Sequence, residues 1–561
     1  MTTEPDDVPI GAPLDLVLTD AARHPWRRFG PSASTAKALL GVARDPVPVA
    51  RRVGGLVREL GAVVAGSSDV APAPRDRRFA DEAWRTNPLL RRVMQGYLAA
   101  ADAALDVVDH VDLEPHDALR VHAGVSNWVD ALAPSNNPLL NPTALKAVVD
   151  TAGANLVRGA RHLARDLATP PRVPRMVEPD AFVVGKTVAA TPGHVVARTE
   201  QFELLQYTPT TPTVRRDPLL VVPPVINKFY VVDMAPGRSL VEYLVGEGHQ
   251  VFVMSWRNPD ARHSAWDLDV YGGAVIAALD ATRAVTGAPR TLTLSLCSGG
   301  TISSMVLAHL AATGRLDVIG GAALSVSVLD QSATGLTGEL LTPNAAEAAV
   351  RASAARGYLD GRTLAEVFAW LRPNDLVWNY WVESYLLGRS PKPFDVLFWN
   401  SDTTRMTAGL HRDFIELSGG NTLVRPGGAT MLGTPVDLGA ITVDSYVTAG
   451  TTDHICPWQG CYATTRLYGG TSRFVLSSAG HVASIVNPPS NPKATRLVAD
   501  DTPDSPDEWF AKAEKVQGSW WPDFSAWLHE RSGDLVPAPD AAGSTDHPAL
   551  GPAPGTYVHA P

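Results

Sequence analysis

The sequence predicts an α/β chain: a largely parallel sheet with helices on both faces, a cap inserted late in it, and a mostly helical region before it. Three observations carry that expectation. Between residues 218 and 329 short apolar runs alternate with helical stretches, the pattern of parallel strands joined by crossover helices. From about 330 to 433 the alternation breaks and aromatics accumulate, among them Trp370, Trp378, Trp381, Tyr385 and Trp399. The alternation then resumes from 441 to 477.

Taken in order, residues 1–80 are rich in Pro, Ala and Arg with weak periodicity, and are expected to be poorly ordered apart from a short helix near 34–40. From 81 to 180 the pattern turns helical. Leu89, Leu90, Val93 and Tyr97 fall on one helical face, and 144–167 holds a second such stretch. A Pro-rich joint at 169–174 follows. Residues 181–535 read as the α/β domain, with the cap at about 330–433. Its expected strands are 218–226 (PLLVVPPVI), 250–256, 291–296, 318–329, 441–449 and 473–477. Its expected helices are 240–246, 267–286, 300–312 and 458–468, with a helical, Trp-rich stretch at 507–531. Residues 536–561 read as an extended tail.

Composition excludes several classes of protein. The 561 residues are 45% hydrophobic and 19% charged, ordinary for a large core. The net charge is −10 and no basic run occurs, so a nucleic-acid partner is not expected. The start, MTTEPDDVPI, lacks the apolar core of a secretory signal, and no run approaches the roughly 18 apolar residues of a bilayer span. A cytoplasmic protein is expected, touching any lipid or polymer surface only peripherally. The three cysteines, Cys297, Cys456 and Cys461, are too few for a disulfide framework. The spacing of the last two, with no second pair, is poor for zinc, and no metal is expected.

The sharpest motif is SLCSGG at 295–300, between an expected strand and an expected helix. A nucleophile there stands on a tight strand-to-helix turn, and small neighbours let the helix pack closely. The helix N-terminus favours a thiolate at Cys297, and the Ser298 N–H is placed for an oxyanion. Asp453 follows the strand at 441–449, and His481 follows the strand at 473–477. The order nucleophile, acid, histidine is that of the α/β-hydrolases, and each residue sits where such a sheet builds its site. His454, beside the acid, is expected to be a structural hydrogen-bonder. The cap aromatics are expected to be core rather than a substrate cage.

Several longer strings resemble the polyhydroxyalkanoate synthases: VPPVINKFY (222–230), SWRNP (255–259), PNDLVWNYW (373–381), DVLFWN (395–400), DHICPW (453–458), and Gly480-His481 followed by NPP (487–489). The resemblance runs from about residue 85 to the C-terminus. NSDTTR (400–405), Trp520-Trp521 and PGTYVH (554–559) are most similar to the single-subunit, class II branch, which favours medium-chain substrates. The family's elbow reads Gly-x-Cys-x-Gly, whereas Ser295 stands at its first position here.

The resemblance implies an acyltransferase that polymerises (R)-3-hydroxyacyl-CoA into polyester with release of CoA. Cys297 would be the acylated nucleophile, His481 its base and Asp453 the residue assisting the incoming hydroxyl. Ser298 N–H and a backbone N–H near Val225 would form the oxyanion hole. No cofactor is implied, since CoA is part of the substrate and a product. The implied partners are the growing chain, a second copy in a homodimer, and the surface of a polyester granule in the cytoplasm. The alternatives are a thioesterase or polymer hydrolase on the same fold, and a non-catalytic granule-associated protein.

Overall fold

A computed structural model describes residues 33–332 and 343–561, apart from positions 75, 169, 372 and 454. His454, the first 32 residues and part of the expected cap therefore lie outside the described residues. The described chain forms two units. One comprises Pro179–Leu364 and Phe394–Pro561; the other comprises the residues up to Glu178 together with Ala365–Pro393.

The first unit is built on an eleven-stranded sheet. In chain order its strands are β1 (Gly193–Arg198), β2 (Phe202–Tyr207), β3 (Leu219–Val222), β4 (Val251–Trp256), β5 (Thr291–Leu296) and β6 (Ile319–Ser325). There follow β7 (Ser445–Gly450), β8 (Ser472–Ser477), β9 (Thr495–Val498), β10 (Glu514–Gln517) and β11 (Gly551–Pro552). They lie side by side as β10-β9-β8-β7-β6-β5-β3-β4-β2-β1-β11. The six strands from β8 to β4 are parallel, and the strands outside them pair antiparallel. Every residue of β4, β5 and β7 is buried, the small polar Thr and Ser included, as in strands covered by helices on both faces. Helices such as Leu240–Gly246 and Leu268–Thr286 connect the parallel strands, each started by a side-chain cap, Ser239 and Asp267 respectively.

In the second unit the aromatics expected in the cap pack on one another. Trp370, Trp378, Trp381 and Tyr385 form a chain of edge contacts with ring centroids 5.9, 5.8 and 5.3 Å apart. Tyr385 donates its hydroxyl to buried Asp166 at 3.0 Å, and Asn155 donates to Leu386 O at 2.8 Å. These side chains are core of that unit.

Three expectations need correction. Residues 33–65 form two helices, Ala33–Arg44 and Pro46–Ala65, where a single short helix in poorly ordered chain was expected. The second starts on Pro46 and ends at Gly66 with φ 80°, so Pro and Gly here mark helix ends rather than disorder. The stretch 507–531 is not helical throughout: helices Pro506–Lys512 and Trp521–His529 flank β10, which pairs with β9. The tail is extended but docked, since β11 pairs with β1 and Leu535–Pro537 pairs with Thr213–Arg215.

Candidate active site

Three loops at the C-terminal ends of β5, β7 and β8 converge. After β5 the chain turns at Cys297 with φ 49° and ψ −121°, then enters the helix Ser298–Ala312. A non-glycine residue held there stores about 1–3 kcal/mol of backbone strain, which persists only where the surroundings enforce it. They do. Cys297 N–H donates to Ser325 O at 3.0 Å, and Ser327 Oγ donates to Cys297 O at 3.1 Å. A Cβ at Gly299 would stand 2.6 Å from both Val222 O and Pro223 O, so only glycine lets the helix approach β3 this closely. Ser295, the departure from the family's elbow, is buried and donates to Ser303 Oγ at 2.8 Å. Its hydroxyl is satisfied by the helix that the turn feeds, which accounts for a serine being accommodated.

After β7, buried Asp453 uses both carboxylate oxygens. Oδ1 accepts the N–H groups of Ile455 and Cys456 at 2.9 and 2.8 Å. Oδ2 lies 2.8 Å from His481 Nδ1. His481 follows β8 and opens the short helix His481–Ile485. The two loops are tied where Thr452 N–H donates to Ala479 O at 3.1 Å. A Cβ on Gly450 would sit 2.6 Å from that same Ala479 O, so a side chain would force the loops apart. Trp520 and Trp521 hold the far end of the His481 helix, their indole N–H groups donating to Ser484 O at 2.7 Å and Ile485 O at 3.0 Å.

Cys297, Asp453 and His481 are thus brought together. With Nδ1 taken by Asp453, His481 has Nε2 left for the cysteine. A residue the sequence reading passed over completes the group. Buried Cys456 places its sulfur within 4.8 Å of both Cys297 Sγ and a His481 ring nitrogen. Sequence spacing had compared Cys456 only with Cys461. The usable signal was its place in DHICPW, two residues beyond His454, where the backbone turns back onto Asp453.

The electrostatics follow from this packing. The Cys297 thiol is pulled well below its ordinary value, first by the Cys456 thiol as hydrogen-bond donor and further by His481, against the opposing effect of burial. Burial pushes His481 down, but Asp453 and Cys297 together drive it above the ordinary imidazole range. The pair is therefore set up as thiolate and imidazolium. Cys456 goes the other way, held up by Cys297 and by burial, so it keeps its proton. Of the two expected oxyanion donors, Ser298 N–H faces the cysteine sulfur. Val225 N–H lies at the same turn, where it donates to Ser298 Oγ at 3.2 Å. A cavity of about 30 Å³ opens beside Cys297, lined also by Cys456, Phe414, Leu417 and Leu423.

A sheet of this order, with a cysteine elbow after β5, an acid after β7 and a histidine after β8, has the arrangement of the α/β-hydrolase fold. Residues 231–488 match the family model described as the alpha/beta hydrolase fold. Residues 75–244 match the model described as the poly-beta-hydroxybutyrate polymerase (PhaC) N-terminus. Poly(3-hydroxyalkanoate) polymerase 1 of Ectopseudomonas oleovorans is 44% identical over 527 residues, 94% of each chain. Polymerase 2 of the same organism is 43% identical over 515 residues, 92% of each chain. The poly(3-hydroxyalkanoate) polymerase subunit PhaC of Cupriavidus necator is 40% identical over 89% of this chain and 85% of its own. The chain belongs to the poly(3-hydroxyalkanoate) polymerase family, and is an acyltransferase enzyme.

Proposed function

We propose that the chain polymerises hydroxyacyl-CoA through a covalent thioester on Cys297. The observation that carries this reading is the convergence of Cys297, Asp453 and His481 on the loops after β5, β7 and β8, with the His481–Asp453 contact at 2.8 Å. The Cys297 thiolate attacks the CoA thioester carbonyl. The tetrahedral oxyanion is met by Ser298 N–H and, once the Ser298 hydroxyl rotates away, by Val225 N–H. The C–S bond to CoA breaks, and His481 gives the departing sulfur its proton. A thioester on cysteine is close in energy to the one consumed, so the acyl group stays reactive toward a hydroxyl. In the second step His481 takes the proton of the incoming hydroxyl, an ester bond forms and the Cys297 thiolate is released.

Asp453 acts through His481 in both steps. Its two oxygens are already engaged by two backbone N–H groups and the imidazole, which favours a positioning role over direct contact with the hydroxyl. The cavity beside Cys297, about 30 Å³ and lined by Phe414 and Leu417 among others, has room for a water next to the nucleophile. No cofactor beyond the CoA of the substrate enters this scheme.

The finer reading is a single-subunit enzyme of class II type acting on medium-chain monomers, as a homodimer at the surface of polyester granules in the cytoplasm. It is supported by the class II-like strings at 400–405 and 554–559. The two Ectopseudomonas oleovorans relatives are also slightly more similar than the Cupriavidus necator one, at 44% and 43% against 40% identity. Among the described residues no helix is long and apolar enough to cross a membrane. The test is product analysis with purified chain and hydroxyacyl-CoA. Polymer formed by wild type and lost in Cys297→Ala is expected; free hydroxy acid without polymer would establish the hydrolase instead.

A further inference from the structure

We propose that Cys297, Cys456 and His481 form a soft-metal site that captures a zinc-group divalent cation and so caps the nucleophile. The two sulfurs and a ring nitrogen lie within 4.8 Å of one another, close to the span that one tetrahedral ion bridges with small side-chain adjustments. All three cysteines are free thiols. Two thiolates and an imidazole are the ligand set that selects zinc or cadmium over hard cations such as magnesium.

The surroundings are those of a metal site as much as of a catalytic one. His481 Nδ1 is held by Asp453 at 2.8 Å, which leaves Nε2 to bind and supplies the carboxylate behind the histidine that metal-ligating imidazoles ordinarily have. The backbone of Cys456 is fixed by its N–H to Asp453 Oδ1 at 2.8 Å, so one carboxylate orients two of the three ligands. The third ligand sits on the enforced turn at Cys297. The cavity beside the two cysteines, about 30 Å³, has room for a water as fourth ligand. On binding, the Cys456 thiol proton and the His481 Nε2 proton leave to solvent, so that both sulfurs bind as thiolates and the imidazole binds through a neutral nitrogen.

Cys456 is what separates this arrangement from an ordinary cysteine–histidine pair, because it adds a second sulfur that neither takes the acyl group nor carries a proton in the acyl-transfer scheme. The coordination stands on geometry alone. Its consequence, blocked acylation, rests on the reading of Cys297 as the nucleophile.

Cobalt(II) tests the site by spectroscopy, independently of turnover. Metal-free full-length chain is titrated with Co2+, and then with Zn2+ to displace it. Wild type is expected to bind one Co2+ with a sulfur-to-cobalt charge-transfer band and the intense visible bands of four-coordinate cobalt. Cys456→Ala and Cys297→Ala should each weaken binding by more than the roughly ten- to hundredfold that losing an outer partner costs. Cys461→Ala should bind as wild type does. Cys456→Ser is run alongside, with a melting curve for each variant, so that lost binding is read only on folded protein. In parallel, Zn2+ should inhibit CoA release by wild type at lower concentration than it inhibits Cys456→Ala, each measured as a fraction of its own metal-free rate. A wild type without the charge-transfer band, or a Cys456→Ala variant with unchanged Co2+ affinity and zinc sensitivity, overturns the site while leaving the nucleophile assignment intact. Co2+ binding by a chain whose Cys297 never takes an acyl group leaves the site standing and sinks that assignment.

Discussion

The centre and the edges of the sheet are held in place by different physics. At the centre, β5 and β7 bury all their residues and β8 its last four; the loops they feed carry Cys297, Asp453 and His481. At the edges β9 is half-buried, β10 is mostly exposed, and β11 is two residues long. Burial spread over many residues fixes the centre, so a change confined to the loop side chains it positions alters chemistry more than fold. The tail-bearing edge hangs on one buried carboxylate. Glu203 in β2 is fully buried and accepts Thr556 N–H, Tyr557 N–H and the Thr556 hydroxyl at 2.7, 2.9 and 2.7 Å, besides Arg198.

The largest expected effect is at the centre and is chemical. Because Cys297 is held far below the ordinary thiol value of 9.0, its thiolate persists at neutral pH and is lost only as pH falls through the lowered value. The rate of iodoacetamide alkylation at Cys297, followed by mass with a chelator present, should therefore stay near its plateau through neutral pH. A midpoint at or above the ordinary thiol value would show that the thiolate–imidazolium pair does not form.

At the tail-bearing edge the expected effect is on stability. Glu203→Ala removes a charged acceptor from two backbone N–H groups and a hydroxyl in a buried setting, a loss of about 3 kcal/mol. Thermal unfolding should shift down accordingly, while alkylation of Cys297 in the folded protein keeps its rate. An unchanged melting temperature would mean that the tail is not anchored through this carboxylate.

The smallest effect is where an edge reaches the centre. Trp520→Phe keeps an aromatic side chain but loses the fused second ring and withdraws the N–H from Ser484 O, behind His481. A stability loss of about 1 kcal/mol is expected, together with a lower kcat at little-changed KM. Wild-type kcat at reduced stability would confine Trp520 to packing.

The centre was legible in the sequence and the edges were not, for related reasons. Strands β4 and β5 and the helix Leu268–Thr286 are local patterns: the apolar run VFVMSW, the Leu alternation in TLTLSL, and 3.6-residue periodicity bounded by caps. The elbow at Cys297 is also local, since small residues beside a cysteine between strand and helix can be read from the six residues at 295–300. Strand β10 exists because β9 offers it a partner, and nothing within EKVQ announces that. The docked tail depends on Glu203, 353 residues before Thr556. Cys456 joins the site only because Asp453 Oδ1 draws its N–H back, a contact without a sequence signature beyond proximity to the acid. The helix Pro46–Ala65 was obscured by internal glycines that lower its apparent propensity.

The account's central claim is that Cys297 takes the acyl group and that Asp453 serves it only through His481. Single-turnover release of CoA, measured beside the mass of the covalent enzyme and the site of its modification, tests this most directly in wild type, His481→Gln and Asp453→Asn. The prediction is a CoA burst in wild type with the acyl mass on Cys297, and loss of the burst in both variants together. An acyl group on another residue would contradict the nucleophile, and a full burst in Asp453→Asn with stalled acyl-enzyme would contradict the role given to the carboxylate.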